Sequence, residues 1–163
     1  LKKLEKDNPG RISVNLGFDD GLARRIYAAS DMFLMPSRYE PCGIGQLIAM
    51  RYGSVPVVHK VGGLADTVRD EAAHHGAGTG FTYSTDSANA FIRAIAKGLR
   101  MFKTDREGWK RLVKRAMSYD STWDRSAESY LTLYQEALTE RALRQAGTKQ
   151  DRKDAESERK AIT

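Results

Sequence analysis

The chain has 163 residues and a mass of 18.2 kDa, enough to bury one core and too little for two. Its net charge of +6 and pI near 9.5 come from 27 basic residues interleaved with 21 acidic ones; no nucleic-acid-binding module accompanies them, so nucleic acid is not the expected partner. The single cysteine, Cys42, excludes an internal disulfide and fits a reducing compartment, and no run of about 18 apolar residues offers a membrane span.

In chain order, Leu1 to Asp7 reads as the end of a charged helix whose start is expected to lie upstream. Arg11 to Leu16 alternates Ile12, Val14 and Leu16 with Ser13 and Asn15, the pattern of a strand. Gly17 ends it. Asp19 or Asp20 then caps a helix with Leu22, Ile26 and Ala29 on one face. Met32 to Met35 is a short apolar strand, and Val55 to Val58 a β-branched one suited to burial on both faces. Between them Gly53 closes a helix as a C′ residue would. Gly80 to Tyr83 is a fourth strand, reached through a small-residue surface loop from Glu71 to Thr79. His74 and His75 lie in that loop without a carboxylate or cysteine set at ligand spacing, so no metal site is expected. Strands alternating with helices argue for a parallel α/β layer.

From Asp86 onward the chain is helical. Phe91, Ile95 and Leu99 mark one apolar face; Trp109, Leu112, Val113 and Ala116 the next; Trp123, Ala127, Tyr130, Leu131, Tyr134 and Leu138 the last, all read as facing a core. Composition shifts at about Gly147. Residues 1–146 are therefore expected to form the domain, and 147–163, which contain one large apolar residue, Ile162, a disordered or frayed tail.

The stretch Pro36-Ser37-Arg38-Tyr39-Glu40-Pro41-Cys42-Gly43-Ile44-Gly45-Gln46-Leu47 joins a strand to a helix. Pro41 keeps Glu40 out of the helical region, and Gly43 allows a ligand close to the backbone. The helix that opens behind the loop presents free N–H groups and the positive end of its dipole, a seat for phosphate beside a carboxylate. On spacing alone, a tight turn with a solvated glutamate explains the stretch better.

Together with Met50-Arg51-Tyr52-Gly53-Ser54-Val55-Pro56-Val57-Val58 and Gly62-Gly63-Leu64-Ala65-Asp66-Thr67-Val68, this stretch resembles the nucleotide-sugar half of glycogen and starch synthases. The resemblance runs without a gap from about Leu16 to Val68 and is closest in feel to the soluble starch synthases of plants and algae. It implies a partial Rossmann-like C-terminal domain of a two-domain (GT-B) glycosyltransferase, with helices at its end and a parallel sheet lacking its first two strands. It also implies transfer of glucose from ADP-glucose to the non-reducing end of an α-1,4-glucan with retention, without metal or other cofactor. The glucan would be held by an N-terminal domain absent from this chain. A plastid is implied for a plant or algal source, the cytoplasm for a bacterial one.

Position by position, the resemblance makes Glu40 the carboxylate facing the donor glucose; the alternative is a carboxylate that merely holds Arg38. Backbone N–H groups of Cys42 and Gly43 would meet sugar hydroxyls, and those of Ile44 and Gly45 the diphosphate. Lys60 and the Gly62-Gly63 loop would lie near the phosphate end, with Asp66 bracing that loop. Phe18 would stack on adenine; the alternative is a core residue. Two positions depart from the family: Gly45 stands where threonine is common, and Ile48 where related transferases often have a second glutamate. The phosphate-clamping Arg and Lys and the catalytic histidine of the family would lie upstream. The other readings are a UDP-sugar-dependent transferase and a stand-alone nucleotide-sugar-binding or scaffolding module.

Overall fold

The computed structural model describes residues 1–161, with side chains for 1–145 and 147. The chain divides into two compact units, Leu1–Tyr119 and Asp120–Thr163.

In the first unit, three strands form one parallel sheet in the order β1-β2-β3: β1 Met32–Met35, β2 Val55–His59 and β3 Phe81–Tyr83. Every residue of β2 is buried, as expected of a β-branched strand with a neighbour on each side and helices over its faces. The register pairs Met32 with Val55 and Val57 with Phe81. Gly80, expected to open β3, instead makes an isolated bridge with Asp70.

The fourth expected strand does not form. Residues 12–16 follow helix α1 (Lys2–Asp7) as an extended segment with no ladder to β1. It is tied back by the Val14 amide, which donates to Glu5 Oε1 at 2.8 Å, and by the Ile12 amide, which donates to the Asn8 carbonyl at 3.2 Å. Alternation of side chains specifies an extended backbone, but a strand also needs a partner for its N–H and C=O groups, and none stands beside this segment.

Helix α2 (Asp20–Ala29) is capped by Asp19, whose carboxylate accepts from the Leu22 amide at 2.9 Å. Tyr27 meets Phe33 of β1 with ring centroids 5.2 Å apart and stacks on Tyr52 at 6.4 Å. Helix α3 (Gly45–Arg51) ends at Tyr52, and Gly53 follows with φ +83°, the left-handed turn expected of it.

The core lies between β2 and β3 and the helices α5 (Ala88–Thr104) and α6 (Arg106–Met117), where Val55, Val57, Phe81, Ala94, Trp109 and Leu112 pack together. Trp109, Leu112 and Ala116 are buried as expected. On α5 the fully buried line is Ala90, Ala94 and Gly98 instead of the larger residues, and Leu99 is 42% exposed. The reason is distance: a Cβ on Gly98 would sit 3.2 Å from Met32 Sδ and 3.3 Å from the Phe81 ring, so only small side chains fit under the sheet. Phe91 and Ile95 pack against the rim of this core.

The loop from Glu71 to Thr79 is tied down from within. The buried Glu71 carboxylate accepts from the amides of Gly76 and Gly78 and from Arg115 of α6 at 2.7 Å.

The second unit is a single helix, α7 (Trp123–Ala161). Its Trp123, Tyr130, Leu131, Tyr134 and Leu138, expected to face a core, are exposed. The expectation of a disordered tail over 147–163 falls on residues whose side chains lie, apart from Gly147, outside the described ones.

Candidate functional site

The site grows from the chain reversal between β1 and α3. Residues 36–44 form an irregular loop at the carboxyl end of β1, where open parallel sheets hold their ligands. A second loop, leaving β2 through Lys60 and Val61, opens helix α4 (Gly62–Thr67) beside it.

The two loops touch backbone to backbone. The Gly63 amide donates to the carbonyls of both Glu40, at 3.2 Å, and Pro41, at 3.1 Å. Gly62 has φ +44°, and a Cβ there would collide with the Glu40 carbonyl oxygen; a Cβ on Gly63 would collide with that of Cys42. Paired glycines are thus required by the approach of one backbone to another.

Gln46 locks the contact. Completely buried, it donates through Nε2 to the Gly43 carbonyl at 2.9 Å and to Thr67 Oγ1 at 3.1 Å, with a longer bond of 3.4 Å to the Cys42 carbonyl. Thr67 in turn donates to the Gly63 carbonyl at 2.6 Å. Gly43, at φ +73°, leaves no room for a side chain, since a Cβ would lie 2.6 Å from Gln46 Oε1. The brace on the second loop is therefore Thr67. Asp66, expected in that role, is exposed and makes no hydrogen bond among the described residues. Neither Gln46 nor Thr67 is distinguishable by spacing from an ordinary helix residue.

Glu40 is half-buried and accepts from the Ser37 hydroxyl at 3.2 Å. Arg38 does not reach it: its Nε pairs with Asp86 Oδ2 at 3.1 Å. Glu40 is therefore not the holder of Arg38, and one carboxylate oxygen has a positioning donor.

Behind this loop stands His59, 5% exposed, which sequence reasoning passed over. Its Nδ1 lies 3.0 Å from the Ser37 carbonyl and its Nε2 3.4 Å from that of Ser84, and its ring stacks on Tyr83 at 5.0 Å. Burial, and secondarily the Asp86 charge, push the Tyr83 hydroxyl above its ordinary value.

Helix α3 begins at Gly45 with Ile44 as its N-cap and no side-chain cap, so its first amides are not served by its own side chains. A Cβ on Gly45 would lie 3.3 Å from Phe33 and 3.4 Å from the Tyr27 hydroxyl; the aromatic pair behind the helix crowds this position. Cys42 and Ile44 are exposed. The Lys60 amide donates to the Tyr83 carbonyl at 2.8 Å, and its side chain borders a cleft beside α4. Phe18 is 99% exposed and so joins no core among the described residues. The structure thus joins Glu40, Cys42, Gly43, Gly62 and Gly63 in one contact, with Ile44 and Gly45 continuing it, and leaves Phe18 as a free ring on the segment before α2. Among the described residues no group of three His, Cys, Asp or Glu could hold a metal, and no helix is long and apolar enough to cross a membrane.

Three comparisons bear on this arrangement. The sequence profile of the family described as glycosyl transferases group 1 matches residues 3–116. A glycogen synthase of Desulforudis audaxviator is 49% identical over 138 residues, covering 85% of this chain and 28% of that protein. The solved catalytic domain of starch synthase IV from Arabidopsis thaliana, bound to ADP and acarbose, superposes with a TM-score of 0.74 at 38% identity, over 85% of this chain and 29% of that one. Sucrose-phosphate synthase from Thermosynechococcus elongatus superposes with a TM-score of 0.58 at 27% identity, over 85% and 33%. The chain thus spans under a third of the length of the relatives it matches.

Proposed function

The chain belongs to the glycosyl transferases group 1 family, and from that premise we propose that it is the nucleotide-sugar half of a retaining glucosyltransferase. The donor is ADP-glucose and the acceptor the non-reducing end of an α-1,4-glucan. The observation that carries this reading is the docking of the Glu40 loop on Gly62 and Gly63, which holds a carboxylate and the start of α3 at the carboxyl end of a parallel sheet.

In this reading the Glu40 carboxylate, oriented by Ser37, faces the glucose ring. It stabilises the positive charge that grows at the anomeric carbon as the bond to the diphosphate lengthens. The amides of Ile44 and Gly45 receive the negative charge that grows on the leaving diphosphate, while those of Cys42 and Gly43 hold sugar hydroxyls. Gly45 contributes its amide alone, where a threonine hydroxyl would add a second donor. Phe18, with both faces of its ring free, offers a stacking surface for adenine. Lys60 adds a positive charge toward the phosphate end. The Gly63 amide already serves the carbonyls of Glu40 and Pro41, so the role of this glycine pair is to seat the loop. No metal is required by this scheme, because helix amides and basic side chains take the charge.

The acceptor glucan and the remaining phosphate contacts belong to the rest of the enzyme. Such an enzyme works where ADP-glucose is made, in the plastid of a plant or alga or in the bacterial cytoplasm. A second reading, a UDP-sugar-dependent transferase, is favoured by the likeness to sucrose-phosphate synthase. Glucan elongation measured with labelled ADP-glucose and labelled UDP-glucose, on the whole enzyme that contains this chain, separates them. Incorporation from ADP-glucose at least tenfold faster supports the first reading; preference for UDP-glucose sinks it.

A further inference from the structure

A cleft of about 800 Å³ is bordered by α4, the loop that follows it, β3 and α5, and reaches Thr67, the brace of the loop contact. Of the residues assigned above to donor binding, it shares Lys60 alone. Its floor is made by Ala90 and Ala94, the small residues that let α5 approach the sheet, and its rim by Arg93 and Lys97 one turn apart on the same helix face. Lys60, just after β2, and Arg69, in the loop after α4, share the lining. None of these four cationic side chains has a hydrogen-bond or ion-pair partner among the described residues.

Two carboxylates, Asp66 and Asp70, share the lining. The Asp70 carboxylate is engaged by the Thr82 amide at 2.9 Å. Four cations against two carboxylates leave a surplus of two positive charges inside a concavity, where walls of low dielectric focus the field. The remaining wall is rich in hydroxyls, from Thr79, Thr82, Ser84 and Thr85.

We propose that this cleft is a binding site for a phosphorylated carbohydrate, separate from the donor site. A phosphate monoester carries a charge of about −1.5 to −2 at neutral pH, which matches the surplus, and its oxygens accept readily from arginine and lysine. The hydroxyl-lined wall and the two carboxylates suit the hydroxyls of a sugar ring, and the volume holds more than a single phosphate. The phosphate can come from an ester on a glucan chain or from a free sugar phosphate, and both present the same chemistry to Arg93, Lys97, Lys60 and Arg69. The proposal stands whether or not the donor reading above holds.

Calorimetric titration of the full chain tests it, with four probes: a maltohexaose bearing a phosphate monoester, plain maltohexaose, a hexose monophosphate and inorganic phosphate. At least one phosphorylated sugar is expected to bind about tenfold or more tightly than both plain maltohexaose and inorganic phosphate. Whichever of the two phosphorylated probes binds more tightly identifies the source. The double substitution Arg93→Ala, Lys97→Ala is expected to weaken that binding about tenfold or more through loss of charge-assisted hydrogen bonds. ADP-glucose affinity, titrated separately, should stay unchanged. Arg69→Gln, on the loop side, is expected to weaken binding in the same direction and serves if the double variant fails to fold. Both phosphorylated sugars binding no more tightly than plain maltohexaose, inorganic phosphate binding as tightly as the sugars, or folded variants that bind like the parent would each overturn the assignment.

Discussion

A carboxylate that accepts from one serine hydroxyl and reaches no cation among the described residues is free to answer charge that appears only during reaction. In the whole enzyme, Glu40→Ala is therefore expected to lower kcat by roughly a hundredfold or more while KM for the donor changes little; loss of affinity with turnover preserved would exclude the role. Phe18 is the opposite case, a side chain whose only available work is contact with something outside the chain. Phe18→Ala should leave the melting temperature unchanged, because the ring is 99% exposed, and weaken ADP-glucose binding by about 1–3 kcal/mol. Titration calorimetry and a thermal melt on the same sample decide it. Tyr83 carries a pH signature of burial. Its folded hydroxyl titrates above the ordinary value of 10.0, so its contribution to stability is present below that pH and fades as pH rises through the folded value. Spectrophotometric titration should show a phenol ionising above the ordinary value in the parent and missing from Tyr83→Phe.

Elements met the sequence patterns unevenly, and the failures share a cause. Met32–Met35 and Val55 to Val58 were legible as short apolar runs, the second covered on both faces as its β-branched residues suggest. Arg11–Leu16 alternates as a strand should, yet no neighbour offers it a ladder, and pairing cannot be read from one strand's own residues. The stripe Phe91, Ile95, Leu99 satisfied helix periodicity, while the true inner line of α5 is Ala90, Ala94 and Gly98, set by the spacing of helix and sheet. In the candidate site, Glu40 and the glycines stood out by type. Gln46, Thr67 and His59 did not, because their work lies in tertiary hydrogen bonds. The docking of α4 on the Glu40 loop gives a sharp test. Gly63→Ala drives a methyl into the Cys42 carbonyl, and such overpacking typically costs about 1–3 kcal/mol. Because the strain falls on the loop itself, turnover should fall further than stability. A variant that melts early but keeps full kcat when folded would show that the loop does not need α4.

At the scale of the whole molecule, the sheet is finished on one side and open on the other. β3 has its edge partly closed by Asp70, which accepts from the Thr82 amide, whereas β1 pairs with β2 alone and carries Leu34 at 45% exposure. The contact between the Glu40 loop and α4 lies within the first unit and asks nothing of residues beyond it. In the proposed reading the acceptor is held by the rest of the enzyme, and the chain spans under a third of the relatives it matches. A half-site of this kind predicts a graded outcome. Expressed as these 163 residues, the chain should transfer no glucose from labelled ADP-glucose to a glucan primer, and should bind ADP-glucose more weakly than the whole enzyme does, because adenine stacking and the loop amides act without the phosphate-clamping residues of the rest. Hydrogen exchange should mirror the asymmetry: the amides of Val57 and Val58, buried and paired on both sides, exchange slowest, and those of Met32–Met35 faster, because one side of that strand meets no partner among the described residues. In the whole enzyme the difference should narrow as the open edge is covered. Measurable transfer by the isolated chain, or protection at β1 equal to that at β2, would show that the site closes on itself and that the open edge is not where the rest of the enzyme joins.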